Sequence, residues 1–523
     1  MKRLALVALP LALATCAAPA AKPPGSVASI DVQYEDNPNA PKKPAPAEAA
    51  PWKDRKDLIQ APAPPKAAEL ALPGVERFKL KNGLDVVVVA RKELPVVSFS
   101  MAVKAGGYDE DKATNLGVAD FTAAMLRRGA GKRSADDISR AIDFVGGSLE
   151  AEAGLEHTQV GCSVLSRDAN LCIDLLADVL LRPSFPEKEM DEVRDQMQAA
   201  IAARFDSPRD LATEHFENIL FGEKNPRGWV LTAEDVAKLK REHLVAFWKT
   251  FYKPGNALLA VAGDVDGPKL RAALEKAFGA WPKGDVPARP PFKMAALKQT
   301  RVLIVDRPDL TQATILLGHR GLKHADPMWF PATLMNYVLG GSDFSSRLMT
   351  EVRSKRGLTY GIGSSYGASL YDGAFVVSAA TKNENVWEAL VASVNQLRKM
   401  KNDGPTAEEL AKGKGFYAGS HPFSLQAATG LANAIVAAEL HGLGLAYVTQ
   451  FAVRMAGVEE AQAKEAAGTL LDPDTVLVVV VGKGDVIEAQ IKPTGLRYER
   501  FGFKEPISHS ARAKLRKQPD PSP

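Results

Sequence analysis

Two stretches far apart in the chain carry one pattern. "YKPGNALLAVAGDVD" (252–266) and "LLDPDTVLVVVVGKGD" (470–485) each place a Pro, an apolar strand and then a Gly, at Pro254/Gly263 and Pro473/Gly482. "ELPVVSFSMAVKAGG" (93–107) and "RPDLTQATILLGHRG" (307–321) form a second pair, a Pro followed by a strand that ends at Gly. The offsets run from 213 to 219 residues. Recurrence at one long offset means two copies of a structural unit, not a single enlarged core. A chain of 523 residues also exceeds what one core ordinarily supports.

Within each copy, strands alternate with helical patterns. "ERFKLKNGLDVVVVA" reads as strand, Asn82-Gly83 turn, strand. "SADDISRAIDFVGG" has Ser134 as N-cap, acids in its first turn and Gly146 past its end. "GSLEAEAGLEHTQVGCSVL" suggests a hairpin, so the sheets are expected to be largely antiparallel and covered by helices. The prediction is an α+β fold of two similar tandem domains, residues 73–285 and 299–500, joined by a Pro-rich basic linker at 286–298.

The flanks differ in composition. Residues 17–72 are dominated by Pro, Ala and Lys and are expected to form a disordered spacer. Residues 501–523 read as a disordered basic tail, with Arg512, Lys514, Arg516 and Lys517 solvated. Met1-Lys2-Arg3 followed by the apolar run Leu4–Ala14 reads as a signal peptide, too short to span a bilayer. It ends at Cys16, placed like the acylated cysteine of a bacterial lipoprotein, although Thr15 departs from the usual small residue before it. The expectation is export to a periplasm, with anchoring to the outer membrane through Cys16; the alternative is simple cleavage of the signal. A net charge of +4 over this length makes no case for nucleic acid. Cys162 and Cys172 read slightly better as two buried thiols than as a disulfide.

Chemistry-bearing motifs are few. None of the eight histidines forms H-x-x-x-H or H-x-x-E-H. Glu156-His157 and Glu214-His215 lack a second His at ligand spacing and read as surface or satisfied groups. "GSSYG" (363–367) matches the nucleophile-elbow pattern around Ser365, but strand follows it where a helix would be needed.

Across residues 75 to 490 the chain resembles the pitrilysin, insulinase and mitochondrial processing peptidase family of zinc metallopeptidases. The resemblance rests on "LKNGLDVVVV", "KAGGYDED", "NLGVADFTAAML", "LRPSFPEKEMDEVRDQ" and "GGSDFSSRLMTEVRSKRGLTYGIGSSY". It implies similar domains, each a sheet backed by helices, forming a clam-like chamber for unfolded peptide. Active members carry H-x-x-E-H, in which two His on one helical face bind zinc and Glu serves as general base. Set against "GVADFTAAML", the ligand positions become Asp120 and Ala124 and the base position Ala123. The remaining ligand position matches Ala200, with Glu192 close by in sequence. No zinc is expected on this chain.

"RLMTEVRSKRGLTYGI" resembles the family's Arg/Tyr pair, which holds substrate carbonyl oxygen near the scissile bond; here it is Arg353 and Tyr360. Gly340-Gly341 resembles a shortened form of the glycine-rich substrate loop. The resemblance therefore implies the non-catalytic, substrate-binding subunit of a periplasmic heterodimeric zinc metallopeptidase. A zinc-bearing homologue would be its partner and an unfolded peptide its substrate. The alternative is a stand-alone peptide-binding or assembly lipoprotein with no proteolytic role.

Overall fold

The computed structural model describes residues 65–72, 74–292, 297–371 and 373–515. The signal-like segment with Cys16, the spacer up to residue 64 and the tail beyond residue 515 lie outside the described residues.

The two copies predicted from the repeat are two six-stranded sheets of matching topology. The first comprises β1 (Val75–Lys79), β2 (Asp85–Ala90), β3 (Val96–Val103), β4 (Ser148–Ala153), β5 (Thr158–Leu165) and β6 (Ala257–Gly263), in the order β1-β2-β6-β3-β5-β4. The second comprises β7 (Arg301–Asp306), β8 (Gln312–Arg320), β9 (Thr359–Tyr366), β10 (Ala374–Lys382), β11 (Leu477–Gly482) and β12 (Tyr498–Gly502), in the order β12-β7-β11-β8-β10-β9. The repeated Pro-strand-Gly segments thus occupy equivalent places, β6 beside β3 and β11 beside β8. Only β2·β6, β7·β11 and β7·β12 pair in parallel. The copies differ at one edge, where β1 precedes its sheet in the chain and β12 follows its own.

Both faces of each sheet are covered, which explains uninterrupted apolar runs such as "VVVV" (86–89) and "VLVVVV" (476–481). Val86 and Val88 face helices of their own half, while Val87 and Val89 face Leu431, Ile435 and Val436 on a helix of the second half. Reciprocally, Leu303, Val305 and Val479 of the second sheet are covered by Leu211, Phe216 and Leu220 of the first half. The halves therefore interlock by exchanging helices.

Three expectations need correction. Of the tail expected to be disordered (501–523), residues 501–515 are ordered: β12 pairs with β7, and Arg512 is 2% exposed. Its guanidinium lies 4.1 Å from the Phe501 ring centre and donates to the Pro506 carbonyl at 3.0 Å. A long cationic side chain can bury its stem where carbonyls and a ring face receive its head. The end of the spacer is also engaged, since Leu70 N–H donates to Thr449 O at 2.8 Å and Leu70 and Leu72 pack on the interlocked core. Finally, Cys162 and Cys172 form a disulfide, their Cα atoms 5.8 Å apart. The first residue lies on β5 and the second on the helix Ala169–Leu181, and the chain folds back to stack them. Replacing Cys172 by Ser is expected to remove about 2.5 kcal/mol, the chain-entropy value for a ten-residue loop, in urea unfolding of oxidised protein. A midpoint insensitive to both the substitution and reductant would contradict the bridge.

Candidate functional site

Helix α1 (Val118–Leu126) carries the positions where a zinc motif would sit. It starts at Gly117, whose φ of 88° is the left-handed conformation that glycine adopts without strain. The free N–H groups of Gly117 and Ala119 donate to the Glu110 carboxylate at 2.9 and 2.8 Å. Burial raises that carboxyl to about 8 despite these bonds, with Asp120 and Asp109 adding repulsion. Glu110 was not singled out from sequence; three acids in "GYDED" leave the choice open until the loop is placed.

Val118, Phe121, Met125 and Leu126 are fully buried in the first core. Asp120 is solvent-accessible yet surrounded by protein, and desolvation pushes its carboxyl up to about 6. Ala123 is buried, Ala124 half-buried. The neighbouring helix α2 (Glu187–Ala203) packs against α1 through Arg194, 5.7 Å from the Phe121 ring centre. Ala200 on it is exposed, and Glu192 lies 3.9 Å from Arg128. Asp120 is the single donor among the four motif positions, since three methyl groups cannot coordinate. These residues do not fit a zinc ion. The hydroxyl of Thr122 is buried with no partner among the described residues.

The other half of the expected site is assembled. Arg353 lies in a π-helical segment, Met349–Lys355, and Tyr360 at the start of β9. The Arg353 guanidinium sits 5.4 Å from the Tyr360 ring centre and 5.3 Å from that of Phe344. No carboxylate pairs with Arg353 among the described residues, and Tyr360 and Phe344 are 89% and 74% exposed. A cation between two exposed rings, with no carboxylate partner among the described residues, leaves guanidinium donors that an external oxygen can reach. Phe344 had not been recognised from sequence, where "SDFSSRL" reads as an ordinary helix start.

Gly340 and Gly341 end the preceding π-helical turn. A side chain at Gly340 would clash with the Ser364 hydroxyl, so this glycine lets the turn lie against β9. Both glycines line a groove of about 400 Å³ between β9 and helix α3 (Pro208–Phe221), floored by Phe216, Leu316 and Val376. The equivalent groove of the first half, about 490 Å³, lies between β4 and helix α4 (Ala428–Leu440). Ser365 lies within β9, with no helix following, so the elbow geometry is absent.

The Glu-His pairs are structural. Glu214 pairs with Arg204 at 2.8 Å, and His215 is buried 3.1 Å from Arg512. Glu156 closes a chain across the two halves: Tyr447 to His324 at 2.8 Å, His324 to His441 at 2.6 Å, and His441 to Glu156 at 3.0 Å. With both imidazoles neutral, each hydrogen bond has one donor when Tyr447 O–H begins the chain and Glu156 ends it. Burial lowers His324 to about 4, with repulsion from His441 adding to it. Burial alone would raise Glu156, but hydrogen bonds from His441, Leu370 N–H and Ser369 outweigh it and hold the carboxyl at about 2.

The signs are the same for both groups. Each binds fewer protons folded than unfolded, so its stabilisation is full above the ordinary value and lost as pH falls through the shifted one. For His324 the window runs from 6.5 down to about 4, and for Glu156 from 4.5 down to about 2. Thermal unfolding at pH 7 and pH 5 should show a drop of the midpoint in the parent chain and a smaller drop in His324→Gln. Equal drops would remove His324 from this role.

Comparison with known proteins matches two family models that meet inside the first half, between residues 230 and 238. The family described as Insulinase (Peptidase family M16) matches residues 86–230, and Peptidase M16 inactive domain matches 238–415. A protein of Streptomyces coelicolor described as an uncharacterized zinc protease is 33% identical over 377 residues, spanning 70% of this chain and 80% of that protein. This chain belongs to the M16 peptidase family. A Mycobacterium leprae protein of the same description is 33% identical over 365 residues, spanning 69% of this chain and 80% of its own. Among solved structures, a peptidase M16 inactive domain from Pseudomonas fluorescens superposes with a TM-score of 0.73 at 26% identity, covering 78% of this chain and 98% of that one. A protease from Helicobacter pylori, at 21% identity and a TM-score of 0.72 over 78% of this chain and 100% of its own, shares the fold. Within this M16 chain, the loss of zinc donors concerns the first half, at Asp120, Ala123, Ala124 and Ala200.

Proposed function

We propose that this chain is the non-catalytic, substrate-binding subunit of a heterodimeric zinc metallopeptidase. One observation carries the reading: the zinc positions hold no adequate donor set, while half-buried Arg353, with no carboxylate partner among the described residues, stands beside exposed Tyr360. A partner of the same family with intact H-x-x-E-H supplies zinc and general base, and a clam-like chamber closes between the two chains. This chain binds no cofactor of its own. Arg353 and Tyr360 donate to the carbonyl oxygen of the scissile peptide as it gains negative charge. Substrate lies extended along the free edge of β9, which pairs on one side with β10 only. Export to the periplasm and anchoring through Cys16 complete the proposal, and the disulfide favours an oxidising compartment.

The test is co-expression with a family member from the same genome that retains the motif. Peptide cleavage should require both chains and disappear with a zinc chelator, while this chain alone stays inert. Cleavage by the purified single chain, or failure of every motif-bearing homologue to associate with it, would overturn the reading.

A further inference from the structure

Three charged side chains line the groove between β9 and α3: Arg209, Glu217 and Arg227. Two of them answer each other. Arg227 donates to Glu217 at 3.2 Å, and its guanidinium lies 4.5 Å from the Phe221 ring centre. Arg209, on the first turn of α3, is exposed at the rim and has no carboxylate partner among the described residues. The neighbouring acids Asp206 and Asp210 do not line the groove. The groove thus carries one unanswered cation above an apolar floor of Phe216, Leu316 and Val376.

Beside it runs the outer edge of β9, which has no neighbouring strand among the described residues, although the Ser364 carbonyl accepts from Asn336 Nδ2 at 3.0 Å and Gly361 is bonded by the Thr359 hydroxyl. An edge strand in antiparallel pairing leaves alternate N–H and C=O groups free for an added strand. Side chains of that added strand alternate between faces, so every second one would turn toward α3. We propose that this groove recognises a carboxylate on a peptide laid along β9, with Arg209 as the residue that selects it. The proposal deepens the function given above and rests on its premise that extended peptide docks on this edge.

The spacing is defined by the strand. Ser365, at the groove, lies five residues from Tyr360, but a bulge between Thr359 and Ile362 takes up one of them, which leaves about 14 Å at 3.4 Å per ladder step. The carboxylate should therefore fall roughly three to five residues from the peptide group facing Arg353 and Tyr360. The equivalent groove of the first half would repel the same ligand. There β4 turns Glu150 and Glu152 toward α4, with no lysine or arginine in the lining. Preference for an acid is thus tied to one groove.

The test uses the purified full chain and fluorescein-labelled, C-terminally amidated decapeptides that carry a single Glu or Gln at successive positions. Polarisation titrations should show Glu preferred over Gln by up to about fivefold at one position, the upper end for an ion pair with an exposed arginine. Arg209→Gln should erase that preference without weakening the Gln peptide, Arg209→Lys should retain part of it, and Arg209→Glu should favour Lys at the same position. A parallel series with free C-termini tells whether a terminal carboxylate is accepted in place of the side chain. Equal affinity for Glu and Gln peptides, preference that survives Arg209→Gln, or no saturable binding overturns the proposal. Acid preference without cleavage in any two-chain pairing would sink the peptidase reading alone. Arg353-dependent cleavage without acid preference would sink this inference alone.

Discussion

Arg353→Ala is expected to lower kcat/KM of the two-chain enzyme by about 10²- to 10³-fold, the usual cost of removing one donor to a developing oxyanion. The side chain lies at the surface between two exposed rings and joins no ion pair among the described residues, so folding should not confound the result. Tyr360→Phe removes one neutral donor and should cost about tenfold, in line with about 1.5 kcal/mol for a hydrogen bond. Arg353→Lys should recover little, because a compact ammonium neither stacks between planar rings nor presents a fork of donors. Association with the partner, followed by gel filtration, should be unchanged in all three variants. Rates within threefold of the parent enzyme for both Arg353→Ala and Tyr360→Phe would show that the pair has no active-site role.

The largest effect on stability is expected at the exchanged helices. Phe216 is 2% exposed, belongs by sequence to the first half, and packs in the core of the second sheet. Phe216→Ala should cost about 3–5 kcal/mol, the range for deleting a fully buried ring. Ile435→Ala, at the reciprocal contact on the first sheet, should cost about 2–5 kcal/mol on the same basis. Each should shift a single unfolding transition for the whole body, because each half supplies part of the other's core. Either half expressed alone exposes one apolar sheet face and one apolar helix, and should aggregate. A shift below about 1 kcal/mol for Phe216→Ala, outside the range for a buried ring, would contradict this account of the interlock.

Much of this was legible in the chain itself because the signals are local. Repetition at a fixed offset gives two equivalent units, and strand runs such as "VLVVVV" require cover on both faces. Ala123, Ala124 and Ala200 offer no zinc donor whatever surrounds them, since an alanine methyl has no lone pair, and Asp120 alone is an inadequate donor set. The spacing of Arg353 and Tyr360 was visible in the same way. Other features depend on how the backbone turns between residues about five to eleven positions apart, which the order of residues does not show. Phe344 joins the Arg353 stack only once the π-helical turn is formed, and Glu110 caps α1 only once its loop folds back. Cys162 and Cys172 pair because a strand and the following helix stack, which ten residues of separation could not show. Arg512 looked solvated as part of a charge run, yet Phe501 of β12, the Pro506 and Ile507 carbonyls that follow it and His215 of the first half surround it. The sequence by itself determined the repeat and the shortage of metal donors at Asp120, Ala123, Ala124 and Ala200, because residue identity and period need no partner to be read. Only the tertiary structure decided which half covers which sheet, which carboxylates are buried, and that Arg209 stands unanswered at a groove, because burial and charge balance are properties of neighbours in space.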